Sequence, residues 1–256
     1  MRVTVLGCGP SWGVPRIGGD WGDCDPANPK NRRRRSSVLV EEGASSILID
    51  TAPDLREQLL DANVRKIDAV LYTHIHADHA HGIDDLRSVN QMMGKPLPVY
   101  GSPATIDELQ MRFRYIFTPV DPKATVTFYK PVVEAHAVVG AFTAAGVDIA
   151  SFEQDHGFSK TLGFRIGRFA YSTDVRTLDE AAFAVLAGVD VWLVDCQRRR
   201  PHPTHSHLDQ TLEWIARVKP RRAILTHMEE CFDYETLRRE LPAGVEPAYD
   251  GLVVEV

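Results

Sequence analysis

The chain has 256 residues, of which 44% are hydrophobic and 25% charged, and its formal net charge is −6 at pH 7. These fractions exclude a mainly disordered or fibrous chain, and the acidic balance argues against a protein that coats nucleic acid or anionic membrane. Four scattered cysteines are too few for a disulfide scaffold. Because there is neither a run of about 18 apolar residues nor a secretory signal, we expect a cytoplasmic protein with no membrane partner.

Short β-branched runs alternate with helical stretches along the chain. In the first half, this pattern predicts strands at residues 3–6, 37–40, 46–49 and 69–73 and helices at residues 54–62, 83–93 and 105–116. A β-rich middle follows, with strands at residues 126–129, 131–135, 147–152, 162–166 and 170–172. The last third predicts helices at residues 178–187, 208–218 and 234–240 and strands at residues 191–194, 223–226 and 253–256. This interleaving favours two packed sheets with helices outside, in a single domain over residues 1–256.

A polar loop at residues 18–35 is rich in Gly, Pro and Arg and ends in four consecutive arginines. Loops of this length in compact domains are usually functional or mobile. The arginine run at residues 32–35 is either a solvated face or a phosphate clamp, because guanidinium groups fit phosphate oxygens bidentately. Since successive strand residues alternate faces, at most two of the four could reach one ligand.

The segment THIHADH at residues 73–79 follows a predicted buried strand. In an extended chain, His74 and His76 point to the same side, and Asp78 and His79 follow where the chain turns. Three imidazoles and a carboxylate suit zinc, manganese or iron better than calcium or magnesium. The alternative, a polar turn with incidental histidines, is disfavoured by the density of these residues. The segment therefore predicts a metal site at this strand end.

One loop cannot complete a metal site, so further ligands are expected elsewhere. Asp155-His156, Thr173-Asp174 and Thr226-His227 each come directly after a predicted strand. Each pair alone is a weak signal. Their shared position after strands indicates that they converge with the histidine cluster at one edge of the sheets.

These residues, in this order, resemble the His-X-His-X-Asp-His motif and later ligands of the metallo-β-lactamase fold superfamily. The resemblance implies an α/β fold of the four-layer αββα sandwich type, with two divalent metal ions, zinc or manganese and possibly iron, at one edge. It implies that Asp174 bridges both metals. The remaining implied ligands are His74, His76 and His156 for the first metal and Asp78, His79 and His227 for the second.

Within the superfamily the chain is most similar to the phosphodiesterase branch, which includes tRNA 3′-end endonucleases and the cyclic phosphodiesterase of phosphonate breakdown. The similar passages are GCGPSWGVP at residues 7–15, Asp195-Cys196, and the tail at residues 224–256. The resemblance implies that His205 protonates the leaving alkoxide, because imidazoles titrate near neutral pH, with His207 as the alternative. It also implies a catalytic role for Asp78 and substrate binding by His205 and Ser11. Arg35, from the arginine run, is a further candidate for substrate binding.

The chain departs from this branch in the loop after the first strand. The cyclic phosphodiesterase has a cysteine-rich structural zinc site there. This chain keeps Cys24, but Gly19 and Trp21 occupy positions of other cysteines, and Glu230 replaces a histidine ligand. We therefore expect the structural zinc to be lost. The chain also lacks a long arm rich in glycine and lysine, which makes nucleic acid a less favoured substrate.

The expected function is a dinuclear phosphodiesterase acting on a small cyclic phosphate or nucleotide-like ester. Groups that orient the imidazoles are usually carboxylates or backbone carbonyls, and Asp50 is the first candidate and Asp195 the second. The alternatives are a thioester or lactone hydrolase, a tRNA 3′-end endonuclease, and a non-catalytic sensor that binds metal and nucleotide. The sequence leaves open the substrate, the physiological metal and the oligomeric state, for which a homodimer is a guess.

Overall fold

The predicted alternation of strands and helices is present in the computed structural model, which describes residues 1–119, 123 and 132–256. The strand predicted at residues 126–129 and the first residue of the one predicted at 131–135 lie outside the described residues. In chain order the elements are β1 (Arg2–Gly7), β2 (Ser37–Glu42), β3 (Ser45–Ile49), α1 (Leu55–Asp61), β4 (Ala69–Leu71), α2 (Ala77–Ala80), α3 (Leu86–Met93), β5 (Leu97–Gly101), α4 (Pro103–Arg112), α5 (Arg114–Phe117), β6 (Val133–Ala137), β7 (Ala141–Ala144), β8 (Val147–Asp155), β9 (Lys160–Ile166), β10 (Phe169–Ser172), α6 (Glu180–Leu186), β11 (Val191–Asp195), α7 (Leu208–Val218), β12 (Arg222–Thr226), α8 (Tyr234–Glu240), β13 (Val245–Pro247) and β14 (Val253–Glu255).

The strands form two mixed sheets of seven strands each within the described part of the chain. The first sheet has the order β14-β1-β2-β3-β4-β5-β6, and its strands from β3 to β6 are parallel. The second has the order β13-β12-β11-β10-β9-β8-β7, and its strands from β10 to β13 are parallel. Strand β8 runs in the same direction as β10, because β9 is antiparallel to both. The two sheets, flanked by helices, confirm the predicted αββα sandwich.

Alternating side chains place β3 between two apolar layers. Ile47 and Ile49 belong to the core shared by both sheets, whereas Leu48 belongs to the core beneath the helices of the first half. This alternation follows from the two-residue period of a strand, and a strand buried on both faces is apolar throughout. The shared core includes Phe164 and Trp192 of the second sheet. The sheets are therefore held face to face by side chains from both.

The helical predictions differ from the structure mainly at their boundaries. The helix predicted at 83–93 begins as a 3₁₀ turn at Ile83–Asp85 before α3. The one predicted at 105–116 divides at Phe113 into α4 and α5 and begins earlier, where the Ser102 side chain accepts a hydrogen bond from the Thr105 backbone. A serine that caps the first turn moves the start of a helix in this way.

Three strands and one helix were absent from the sequence prediction: β5, β7, β13 and α2. Strand β5 contains Pro98 and ends at Gly101, and both residue types weaken a strand pattern. Strands β7 and β13 are short and lie at the two edges of the second sheet. Helix α2 has only four residues and begins inside the histidine cluster. Tertiary pairing, rather than local propensity, decides these elements.

Among the described residues, no helix combines the length and the apolar content needed to cross a bilayer.

Candidate metal centre

Polar residues that end or follow six strands come together at one edge of the sandwich. The carboxyl ends of parallel strands meet at the same edge of a sheet, which is where open α/β sheets bind ligands. Asp50 follows β3, residues 74–79 follow β4, His156 follows β8, Asp174 follows β10, Asp195 ends β11, and His227 follows β12.

Three of these residues have left-handed backbone conformations. Asp50, Asp174 and His227 have φ values of 62°, 52° and 59°. Residues other than glycine rarely occupy this region, and each such position costs on the order of 1–3 kcal/mol unless its surroundings enforce it. Here the surroundings include a hydrogen bond from the Asp50 backbone N–H to the Leu71 carbonyl at 2.8 Å. Three of the six non-glycine residues with positive φ in the described chain thus lie at the edge where the polar side chains meet.

The predicted ligands form two groups that share one carboxylate, and a third group, Asp174, Asp195, His205 and His227, overlaps them. The first group is His74, His76, His156 and Asp174, and the second is Asp78, His79, Asp174 and His227; within each group the ligand-type atoms lie within 4.8 Å of one another. Asp174 Oδ1 lies 3.8 Å from Nε2 of both His74 and His156. Asp174 Oδ2 lies 3.0 Å from His79 Nε2 and 3.5 Å from His227 Nε2. Each oxygen of Asp174 therefore faces one group.

The residues fit two divalent metal ions, on the evidence of their own unsatisfied atoms. Among the buried atoms without a hydrogen-bond partner are His74 Nε2, Asp78 Oδ2, His79 Nε2 and His227 Nε2. A buried polar atom without a partner lowers the stability of the fold. Clustered nitrogen and oxygen lone pairs are the ligands that zinc, manganese and iron bind. Members of this fold usually bind divalent metals.

Besides the contact of His74 Nδ1 with the Thr73 hydroxyl at 3.0 Å, hydrogen bonds on the far side of the imidazoles orient two further rings. His79 Nδ1 lies 2.8 Å from Asp50 Oδ2, and Asp50 also accepts from the Thr73 backbone and hydroxyl, both at 2.8 Å. His156 Nδ1 donates to the Thr204 carbonyl at 2.7 Å. These bonds direct Nε2 of both rings toward the shared carboxylate, as metal-binding imidazoles require. Asp50 thus occupies the orienting position expected from its strand end.

The electrostatics of the site show that it demands positive charge. Burial lowers the pKa of His74 well below its ordinary value. Burial also opposes protonation of His227, but Asp174 and Asp78 outweigh it and raise the pKa of His227 to about 9. Burial raises the pKa of Asp174, yet His227 and His79 hold it well below its usual range. Protonated imidazoles therefore balance the negative charge of the carboxylates. Divalent cations bound here would take over this role, and the imidazoles would release their protons.

His205 is buried against both ligand groups. Its Nδ1 lies 3.8 Å from Asp174 Oδ1 and 3.8 Å from Asp195 Oδ1. Its ring is stacked on that of His227, with centroids 5.0 Å apart and an interplanar angle of 13°. His207, the alternative acid, lies at the start of α7 and is only half-buried. The geometry favours His205 over His207 as the group that could exchange a proton with a ligand bound between the metals.

Sequence reasoning missed the groups at residues 204–211 that form hydrogen bonds to His156 and Asp195. Besides the Thr204 carbonyl, the Ser206 backbone and hydroxyl donate to Asp195 Oδ2 at 3.1 and 2.9 Å. The Thr211 hydroxyl donates to the Asp195 carbonyl at 2.9 Å. A backbone carbonyl has no sequence signature, and only the position of Ser206 beside His205 could have indicated its role.

The side chains of three of the four arginines at residues 32–35 form hydrogen bonds or ion pairs with other residues of the fold. Arg33 is fully buried and donates to the carbonyls of Glu229 and Phe232 at 3.1 and 2.5 Å. Arg34 pairs with Asp250 and Asp61, and Arg35 pairs with Asp54 at 2.8 Å. These three side chains are therefore already paired with groups of the protein. Ser11 is exposed in the loop after β1, and substrate binding by Ser11 and Arg35 stays a prediction.

Cys24, in the loop at residues 18–35, and Glu230, which lies beside it in the fold, both contact other groups of the protein. The Cys24 thiol donates to the carbonyls of Glu230 and Phe232, both at 3.3 Å. The Glu230 carboxylate accepts from Trp12 Nε1 at 3.0 Å and forms an ion pair with Arg16. These contacts join the loop after β1 to the segment that follows His227.

Comparison with known proteins agrees with this fold. The family model "Beta-lactamase superfamily domain" matches residues 45–228. The chain is 38% identical to a new diphosphatase from the PhnP family, whose crystal structure superposes with a TM-score of 0.90 over 99% of this chain and 97% of that one. Zn(2+)-bound PqqB from Methylobacterium extorquens, 19% identical with a TM-score of 0.74 and full coverage of both chains, shares the fold.

A curated relative is longer than this chain. The octanoyltransferase of Porphyromonas gingivalis (strain ATCC BAA-308 / W83) is 30% identical over 262 aligned residues, which cover 98% of this chain and 51% of that protein. The chain thus spans about half the length of this relative.

Proposed function

Because this chain belongs to the β-lactamase superfamily and, within it, to the PhnP family, we propose that it is a dinuclear metal-dependent hydrolase of small phosphodiesters. Members of the superfamily are generally hydrolases, which supports the reaction type. The PhnP-family relative is a diphosphatase, which supports a phosphate-containing substrate. Within this class we propose a cyclic phosphate or nucleotide-like ester as the substrate.

The single observation that carries the proposal is the division of Asp174 between two ligand groups. Its two oxygens face different sets of imidazoles at 3.0–3.8 Å. Such a carboxylate can hold two cations a few ångströms apart, the arrangement found in many phosphatases and nucleases. A single-metal site would not need the second set of buried, unsatisfied atoms.

The chemistry that two divalent cations supply in such a site is activation of water and neutralisation of charge on the phosphate. The chain's own groups hold the ligands in place for it. The Asp50 carboxylate fixes the ring of His79, and the Thr204 carbonyl fixes that of His156. Because these bonds engage Nδ1, both rings keep Nε2 free and the site needs little rearrangement when it is filled.

His205 would move the proton that the leaving group needs. An alkoxide leaves a phosphodiester readily only if its oxygen is protonated, and a positioned imidazole contributes a factor of about 10²–10⁴ to such steps. His205 is buried, its Nδ1 lies 3.8 Å from both Asp174 and Asp195, and its ring stacks on that of His227, so the ring has a defined position. It therefore donates the proton to the leaving oxygen.

The test is hydrolysis of bis(p-nitrophenyl) phosphate by protein loaded with manganese or zinc. We expect turnover in the wild type and loss of turnover together with loss of bound metal in Asp174→Ala. His205→Ala should keep both metals and retain most of its turnover of this activated ester, but lose about 10²–10⁴ in kcat on a phosphodiester whose leaving group is an alkoxide. Asp148→Ala removes an exposed aspartate on β8 and serves as the matched control with unchanged activity.

A thioester panel distinguishes the competing hypothesis of acyl-ester hydrolysis. Turnover of thioesters without turnover of phosphodiesters, by protein that carries two metals, would refute the proposal. The octanoyltransferase relative justifies this arm of the test, although this chain spans only half of that protein.

A further inference from the structure

A cavity of about 490 Å³ opens beside the first ligand group. We call it the α4 cavity, because its described lining joins His74 and His76 to the start of α4 at Ser102–Thr105 and to residues 159–162 at the start of β9. Its volume is within the range of about 300–1,000 Å³ typical of ligand pockets. The cavity is therefore large enough for part of a substrate whose phosphate lies at the metal centre.

The lining of the α4 cavity is apolar with a polar rim. Ile75, Pro103, Ala104 and Leu162 contribute apolar surface. Such surface favours a ligand group with an apolar face, since removal of that face from water is stabilising. A group that is charged or hydroxylated on every side would lose solvation there without compensation.

Three charged side chains line the α4 cavity. Glu153 and Lys160 line it, and neither forms an ion pair with another residue of the described chain. A carboxylate accepts from hydroxyl or amino groups, and an ammonium donates to carbonyl oxygens. Glu108, which also lines the cavity, pairs with Arg112. The presence of two carboxylates disfavours a second phosphate in this cavity.

The α4 cavity borders the first ligand group through His74 and His76. His156, His205 and His227 are absent from its described lining. If His205 protonates the leaving oxygen, that oxygen lies near His205. In an in-line displacement the attacking and leaving oxygens are opposed, and the retained substituent is directed elsewhere. The retained substituent is the group that the α4 cavity can receive.

We infer that the α4 cavity binds the organic group that the phosphate retains, and that this group is a nucleoside. A nucleobase has flat apolar faces for Ile75, Pro103 and Leu162, and its edge and the sugar hydroxyls offer partners for Glu153 and Lys160. This inference rests on the proposed function and adds the substrate class to it.

The test compares two substrates with the same leaving group, thymidine 5′-(4-nitrophenyl phosphate) and methyl 4-nitrophenyl phosphate, on manganese-loaded protein. We expect a clear wild-type preference in kcat/KM for the thymidine ester. Ala104→Phe fills the cavity from an exposed position and should lower that preference by about tenfold or more, chiefly through KM. Gln110→Phe adds the same ring to an exposed position of α4 outside the cavity lining and should leave the preference unchanged.

Calorimetric titration with thymidine 5′-monophosphate gives a readout that does not depend on turnover. The dissociation constant should rise by about tenfold in Ala104→Phe and stay constant in Gln110→Phe. Equal wild-type turnover of both esters, with binding indifferent to Ala104→Phe, would overturn the inference and leave the proposed function standing. Turnover of neither ester by protein with two bound metals would instead overturn the proposed function. Ribose 5-phosphate that binds as tightly as the nucleotide would show that the occupant is a sugar and refute the nucleoside assignment.

Discussion

At the scale of single residues, Asp50 connects the backbone of the first sheet to the metal centre. It is fully buried, and its two oxygens accept hydrogen bonds from the Thr73 backbone, the Thr73 hydroxyl and the His79 ring. An asparagine in its place would keep one carbonyl oxygen but would offer an N–H where the Thr73 hydroxyl and His79 need an acceptor. The orientation of His79 therefore depends on a carboxylate at this position.

We expect Asp50→Asn to lower metal affinity by about 10–100-fold, because loss of an orienting partner has this effect on metal-bound imidazoles. Competition with a chromogenic chelator measures the affinity. Asp148→Asn, on an exposed position of β8, is the control. Equal affinities in Asp50→Asn and wild type would show that His79 needs no such partner.

Arg33 is a second residue whose role is decided by contacts far along the chain. Its buried guanidinium holds the carbonyls of Glu229 and Phe232. We expect Arg33→Ala to lower the free energy of unfolding by about 3 kcal/mol, since hydrogen bonds from charged donors contribute about 1.5–3 kcal/mol and the carbonyls lose their partner. Urea denaturation tests this, with the exposed neighbour Arg32→Ala as a control near zero. Equal stabilities of the two variants would contradict it.

At the scale of elements, α8 depends on a carboxylate at its amino end. Asp233 accepts from the Thr236 backbone at 3.0 Å and from the Asn31 amide at 2.7 Å. Burial raises the pKa of Asp233, but these hydrogen bonds outweigh it and lower the pKa to about 2. A depressed folded pKa means that the carboxylate stabilises the protein above the unfolded pKa of about 3.9 and loses this effect as the pH falls toward 2.

We therefore expect Asp233→Ala to cost about 1 kcal/mol of unfolding free energy at pH 7, as loss of a helix cap typically does. The difference from wild type should shrink between about pH 4 and pH 2. Asp233→Asn keeps a capping oxygen without the titration, so its stability should lack this step. Urea denaturation at pH 7 and at pH 3 measures all three proteins, and a pH-independent difference for Asp233→Ala would contradict the assignment.

At the scale of the whole molecule, the candidate metal centre joins the two sheets. Its ligand residues come from the loop after β4 in the first sheet and from the ends of β8, β10 and β12 in the second. Buried carboxylates from both sheets meet here, and cations between them would remove their repulsion. Metals bound in this position stabilise the packing of one sheet on the other, because they bind the folded arrangement and not the separated loops.

Removal of metal by a chelator should accordingly lower Tm. A metal at about 100 times its Kd adds about 2.7 kcal/mol to the folded state. For a domain of this size that corresponds to roughly 5–10 °C. Differential scanning calorimetry with and without the chelator tests this. Asp174→Ala should show almost no shift, and an equal shift in that variant would mean that the metal binds elsewhere.

The sequence by itself determined the features that depend on neighbouring residues. The alternation of apolar side chains predicted most strands of both sheets, and the density of residues 73–79 predicted a metal site at the end of β4. The strand-end positions of His156, Asp174 and His227 indicated where further ligands would lie. These signals are local, because side-chain direction repeats every two residues in a strand and every 3.6 in a helix.

Only the tertiary structure decided which atoms meet. It directs each oxygen of Asp174 toward a different set of imidazoles, pairs His156 with the Thr204 carbonyl 48 positions away, and joins Arg33 to a carbonyl 199 positions away. It also creates the α4 cavity from three segments that are separate in the chain. The physical reason is that such contacts depend on how two sheets pack, and packing is a property of the whole core rather than of any one stretch of sequence.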